Sequence, residues 1–201
     1  MLTRRHWLAA ALALGLATPA LAQDAPAKIP VVASFSILGD FVKEVGGDRV
    51  SVSTLVGPNG DAHVFQPSPA DAKKVAAAKL VFVNGLGFEG WIDRLVKASG
   101  TKAEVVVATA GITPREMAEE EDDHDHKKHA DAHDHDHGGT DPHAWQSVDN
   151  AEVYVANIRD ALIAADPAGK ATYEANAAAY TAKLDALDAQ VKAAIAAIPA
   201  E

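Results

Sequence analysis

Four short apolar runs, separated by stretches of helical spacing, decide what this chain can fold into. Val31 to Phe35, Val50 to Val56, Leu80 to Val83 and Val105 to Val107 each read as a strand. Between them, Ile37, Leu38, Phe41, Val42 and Val45 recur at helical intervals until Gly46-Gly47 stops them. A second helix starts at Ser68, whose side chain can cap it, with Pro69 at the first position and Asp71 in the first turn, and runs to about Ala78. A third covers Phe88 to Ala98. Strands that alternate with helices must lie parallel and be joined by right-handed crossovers. The pattern therefore predicts an α/β fold, a Rossmann-like lobe on a four-stranded parallel sheet.

The C-terminal third breaks the alternation. Asp149 to Ala165 has helical spacing and is ended by Asp166-Pro167. Residues 168–197 are dominated by Ala, Leu, Lys, Asp and Gln, with Tyr173, Tyr180, Leu184, Leu187, Val191 and Ile195 at helical intervals. A helix of about 27 residues is about 40 Å long. A four-stranded lobe needs less, so the expectation is a strut toward a second α/β lobe that is missing from this chain. The expected organisation is a leader over residues 1–22, an α/β lobe over 23–166 and a long linking helix over 167–198.

The leader has the form of a cleavable secretory signal. Arg4 and Arg5 are its positive end, Trp7 to Ala17 its apolar run, and Ala20-Leu21-Ala22 its small-residue cleavage site. The apolar run is about 11 residues, short of the roughly 20 that a membrane helix needs. Export without any Cys leaves the core, rather than disulfides, to hold the fold, and rules out a lipid anchor on an N-terminal Cys. Losing Arg4 and Arg5 takes the net charge from −10 to −12. Such a surface repels nucleic acid and anionic membranes and suits the handling of cations.

Chemistry is concentrated in histidine. Six of the nine, His124, His126, His129, His133, His135 and His137, lie among acids in a loop over residues 119–139. A tract so poor in apolar residues cannot build a core, but it offers many weak imidazole sites near neutral pH. His143 differs: it stands in Asp141-Pro142-His143-Ala144-Trp145, stiffened by Pro142 and beside an aromatic residue. His63 has a similar setting, in the loop after the second strand, near Phe65 and Pro67. Ligands of open α/β sheets bind beyond the carboxyl ends of the strands. Both histidines are delivered to that edge, which points to a metal site of neutral imidazoles, suited to zinc and most first-row divalent ions. No serine–histidine–acid set, phosphate loop or paired carboxylates accompany them, so no catalysis is expected. A hydrolytic metalloenzyme would have to use Asp61 or Asp141 as its base.

Two segments carry a resemblance, "GPNGDAHVFQPSPADAKKVAAAKLVFVNGLGFEGW" and "DPHAWQSVDNAEVYVANIRDAL" with the helical stretch that follows. They resemble the solute-binding receptors of metal ABC importers, the cluster A-I family that includes periplasmic zinc receptors. The resemblance spans residues 30–201. It implies two α/β lobes joined by one long helix, with the metal held in the cleft between them. It implies His63 and His143 as the ligands of this lobe, and a further His and an acid from the other. Ala62 stands where that family commonly has Pro or an acid, with Asp61 one residue earlier. A His-rich loop at this place is typical of zinc members. The resemblance thus implies a periplasmic receptor, monomeric when full length, that captures Zn2+ and passes it to a membrane permease, without inserting in the membrane itself. Manganese or iron(II) is the alternative cargo, and a metal-binding adhesin or storage protein the alternative class. In this reading His63 and His143 form the primary site, and the six tract histidines form a mobile accessory collector.

Overall fold

The computed structural model describes residues 27–116 and 139–199. The leader and the six tract histidines lie outside these residues. Strand β1 (Ile29–Phe35), helix α1 (Ser36–Gly46), strand β2 (Val50–Val56), helix α2 (Pro69–Ala77), strand β3 (Leu80–Val83), helix α3 (Ile92–Ser99) and strand β4 (Glu104–Val107) follow in turn. The four strands form one parallel sheet in the order β2-β1-β3-β4. The chain therefore reverses its direction of winding between β1 and β3. That is the switch point at which a crevice opens beyond the strand ends. Helices α4 (Val148–Ala165) and α5 (Lys170–Ala196) complete the fold. No helix among the described residues is long and apolar enough to cross a membrane.

Local chemistry accounts for most boundaries. Ser68 caps α2 in a reciprocal box: its hydroxyl accepts from the Asp71 N–H, while the Asp71 carboxylate accepts from the Ser68 N–H at 3.0 Å. Gly39 lets α1 lie directly on β2, because a side chain there would run into the Thr54 methyl. Leu38, Val42 and Val45 point from the same helix into the core.

The segment after β3 departs from expectation. The spacing predicts a helix from Phe88, but α3 begins only at Ile92. Residues 84–91 instead form a tight loop in which Gly85, Leu86 and Gly87 all have positive φ, at 86°, 54° and 77°. The cause is Glu89, whose side chain turns inward instead of lying on a helix surface. Its Oε1 accepts from the Ser34 hydroxyl and from the Asn84 N–H at 2.7 Å, and its Oε2 accepts from the Gly85 N–H at 3.1 Å.

The long helix is half core. Tyr173, Ala177 and Leu184 are buried against α1 and α4, and Phe41 meets both Tyr154 and Tyr180 edge-on. Tyr173 is fully buried, a placement that stabilises by about 1.5–3 kcal/mol for a side chain of its size class. The start of the helix is clasped by Asp166, which accepts from Arg49 Nε at 2.8 Å and from the Tyr173 hydroxyl at 2.9 Å. Asn176 Nδ2 donates to the Val45 carbonyl at 3.0 Å. Beyond Leu184 the apolar stripe emerges: Leu187 is 50% exposed and Ile195 61%.

Candidate metal centre

His63 and His143 meet at the carboxyl edge of the sheet. Their Nε2 atoms are 3.1 Å apart, although 80 residues separate them in the chain. Each sits in the same local device. Asp61 Oδ1 accepts from the His63 backbone N–H at 2.8 Å, and Asp141 Oδ1 accepts from the His143 backbone N–H at 2.9 Å. These are two Asp-x-His turns in which the aspartate closes the loop onto the N–H two residues on. The Trp91 indole N–H holds the first loop through the Ala62 carbonyl at 2.7 Å. The second is tied to the chain before the tract. Asp141 N–H donates to the Arg115 carbonyl at 2.7 Å, and Glu116 bridges Thr140.

The ring of His143 is further fixed by Asp141 Oδ1, 2.8 Å from Nδ1. An ionised carboxylate only accepts, so Nδ1 carries the proton and Nε2 presents its lone pair. The hydrogen bonds from His143 to the Asp141 carboxylate, backbone first, hold its pKa below the ordinary value. Aromatic rings support both imidazoles. Phe88 stands edge-on to His63 and His143, with centroids at 4.7 and 5.8 Å, and packs against Phe35 and Trp145. Beside His143 a cleft of about 560 Å³ opens toward Arg115, Asp149 and Leu187 and the outer half of α5. Among the described residues no group of three or more His, Cys, Asp or Glu converges as a metal site.

Residues 31–201 match the family described as zinc-uptake complex component A, periplasmic (ZnuA). The chain belongs to this family. Proteins similar to the chain are named for different ions. The iron-binding protein YfeA of Yersinia pestis is 36% identical over 190 residues, covering 92% of this chain and 56% of that one. The manganese ABC transporter substrate-binding lipoprotein PsaA of Streptococcus pneumoniae is 35% identical, covering 87% and 54%. Among solved structures, a manganese-bound variant of a periplasmic metal-binding protein from Candidatus Liberibacter asiaticus superposes with a TM-score of 0.71 at 32% identity, covering 86% of this chain and 59% of that one. Zinc-bound AdcA of Streptococcus pneumoniae superposes with a TM-score of 0.66 at 29% identity, covering 82% and 32%. None of the four is named as an enzyme. This member of the family spans about half the length of the curated relatives it matches.

The sequence singled out the two histidines that the fold brings together, but not what surrounds them. Asn84, Phe88, Glu89 and Tyr154 lie within the segments that carry the resemblance, but none was singled out as part of the site. The repeated Asp-x-His spacing was a legible sign of the two matching turns.

Proposed function

We infer that this chain supplies half of the metal-binding cleft of an extracytoplasmic receptor that captures Zn2+ and hands it to the membrane permease of an ABC importer. His63 and His143 are the ligands from this half. The observation that carries the reading is the pair of Nε2 atoms at 3.1 Å, each on a turn braced by its own aspartate. An ion about 2.0–2.1 Å from both nitrogens would subtend about 95–102° between them, close to a tetrahedral angle. Four-coordinate zinc needs two more donors. They are expected from a second lobe, in keeping with the relatives being about twice as long. Membership of a family described as periplasmic supports export through the leader at residues 1–22.

Zinc is favoured by a half-site of two imidazoles, and by the six tract histidines, which in this reading collect the ion beside the cleft. Manganese or iron(II) is the second reading, because the relatives cited for those ions are more than a third identical. Calorimetric titration separates them. The chain lacking residues 119–137 should retain one weak zinc site, lost in both His63→Ala and His143→Ala, and should bind manganese less well than zinc. If the site vanished with the tract but survived His143→Ala, the assignment of ligands would be wrong. A preference for manganese would leave the ligands standing and overturn the cargo.

A further inference from the structure

One buried amide links the centre of the sheet to the peptide group that carries His143. Asn84 follows directly after β3 and is fully buried. Its Nδ2 donates to the Pro142 carbonyl at 2.9 Å and to the Gly85 carbonyl at 3.0 Å. Its Oδ1 accepts from the hydroxyl of Tyr154, itself fully buried on α4. Its backbone carbonyl accepts from the Thr109 hydroxyl at 2.6 Å, beyond the end of β4. The orientation of the amide is not a free choice. Turned over, its oxygen would face two carbonyl oxygens, and both bonds would become repulsions.

The Pro142 carbonyl and the His143 N–H belong to the same peptide plane. Asn84 holds the carbonyl end and Asp141 holds the N–H end. A planar group gripped at both edges cannot rotate, so the direction in which His143 leaves the chain is fixed. We propose that Asn84, itself oriented by the Tyr154 hydroxyl, is a positioning residue for the metal centre. It sets the aim of His143 Nε2 toward His63 without touching the ion. This rests on the reading of His63 and His143 as ligands. A bidentate pair needs both nitrogens within a few tenths of an ångström of their bonding positions, so metal affinity depends on this brace and not on overall stability alone.

Tyr154→Phe keeps the ring in the core and removes only the hydroxyl that orients the amide. Asn84→Asp puts a carboxylate oxygen against the Pro142 carbonyl. Tyr173→Phe is the control: it removes one hydroxyl hydrogen bond of the same kind, to Asp166 at the start of α5, and touches neither Asn84 nor Glu89 nor the Pro142 carbonyl. The readout is the 15N resonance of His143 Nε2 in the whole chain, assigned by its loss in His143→Gln and titrated with zinc chloride. It reports this one ring and is blind to the tract. Thermal melts are recorded alongside in chelator. Tyr154→Phe should raise the apparent Kd at His143 by about three- to tenfold, the range set by the net worth of one hydrogen bond. Asn84→Asp should raise it further, and Tyr173→Phe should leave it within twofold at a comparable loss of Tm. If Tyr154→Phe left the Kd within twofold, or Tyr173→Phe raised it equally, the brace would be refuted and Asn84 would be a fold residue only. Should Asn84→Asp fail to fold, Tyr154→Phe alone decides. A wild-type His143 resonance that did not move with zinc would overturn the underlying ligand assignment instead.

Discussion

Replacing Glu89 by Gln will make the stability gap between variant and wild type narrow as the pH rises. Two effects oppose each other at this carboxyl. Burial pushes its pKa up from the ordinary carboxylate value near 4.5, while hydrogen bonds from Ser34, Asn84 and Gly85 pull it down, and burial prevails. The folded chain therefore holds this proton more tightly than the unfolded chain. The stability that follows is fully present below pH 4.5 and is lost as the pH rises through the folded pKa, by about 1.4 kcal/mol for each unit between the two values. Glutamine is neutral throughout and escapes that loss. It carries a different, pH-independent penalty. With its oxygen in the Oε1 position it keeps the bonds from Ser34 and Asn84, but its NH2 then faces the Gly85 N–H. One stranded buried donor costs about 1–3 kcal/mol. The Glu89→Gln variant should thus be less stable by about that amount at pH 4, and by less at pH 8. Urea unfolding at one-unit steps of pH, in chelator to remove metal linkage, measures the gap. Titration of the histidines is common to both proteins and cancels. A gap that stayed flat or widened toward pH 8 would refute the reasoning. It would mean that three donors outweigh burial and that the loop is built around a carboxylate.

Phe88→Leu removes the ring shared by both imidazoles together with its contacts to Phe35 and Trp145, and should cost about 2–3 kcal/mol in chemical denaturation. On the proposed reading of His63 and His143 as zinc ligands it should also weaken binding there, so unchanged affinity would show that the ring only fills space. Gly85→Ala forces a side chain onto a residue with φ of +86° and puts its methyl 2.6 Å from the Val107 side chain. A loss of at least about 1–2 kcal/mol is expected, and a stability change under about 0.5 kcal/mol would mean that the loop relaxes freely. In α5, amides of residues 170–184 should exchange slowly and those of 187–196 faster, because burial ends at Leu184. Uniform protection along the helix, in a proven monomer, would contradict this.

The sheet was legible in the sequence because its strands are short apolar runs bounded by breakers, and Ser68-Pro69-Ala70-Asp71 announced the start of α2. The start of α3 was not legible. Phe88 to Ala98 has sound helical spacing, and Gly85 and Gly87 alone could not reveal that Leu86 would also take a positive φ. What decides that loop is the inward turn of Glu89 toward donors on three residues, one of them 55 positions away. Long-range satisfaction of a buried carboxyl leaves no periodic trace. Asn84 and Tyr154 were hidden for the same reason: a polar residue after a strand reads as a loop, and a tyrosine on a helix reads as core. The long helix shows the complementary case. Its apolar spacing runs unbroken from Tyr173 to Ile195, yet only the first part packs in this lobe. Periodicity identifies the face of a helix but not where along it the partner ends.

The two histidines could be paired from sequence because a parallel sheet delivers every loop after a strand to one edge, whatever their separation along the chain. What the sequence could not convey is that the two turns are unequal. Asp141 Oδ1 takes both the backbone N–H and the Nδ1–H of His143, so one atom closes the turn and selects the tautomer. Asp61 Oδ1 takes only the backbone N–H of His63. With the His143 Nε2 lone pair already exposed, the bond across the 3.1 Å gap must use a proton on His63 Nε2. A cation that binds both rings has to displace that proton, and His63 must then carry its hydrogen on Nδ1. If both are ligands as proposed, His143 already presents its lone pair, whereas His63 would bind an ion only by exchanging its tautomer. The brace through Asn84 and Pro142 falls on the ring that is already set, and His63, on its more exposed loop, retains the freedom to adjust.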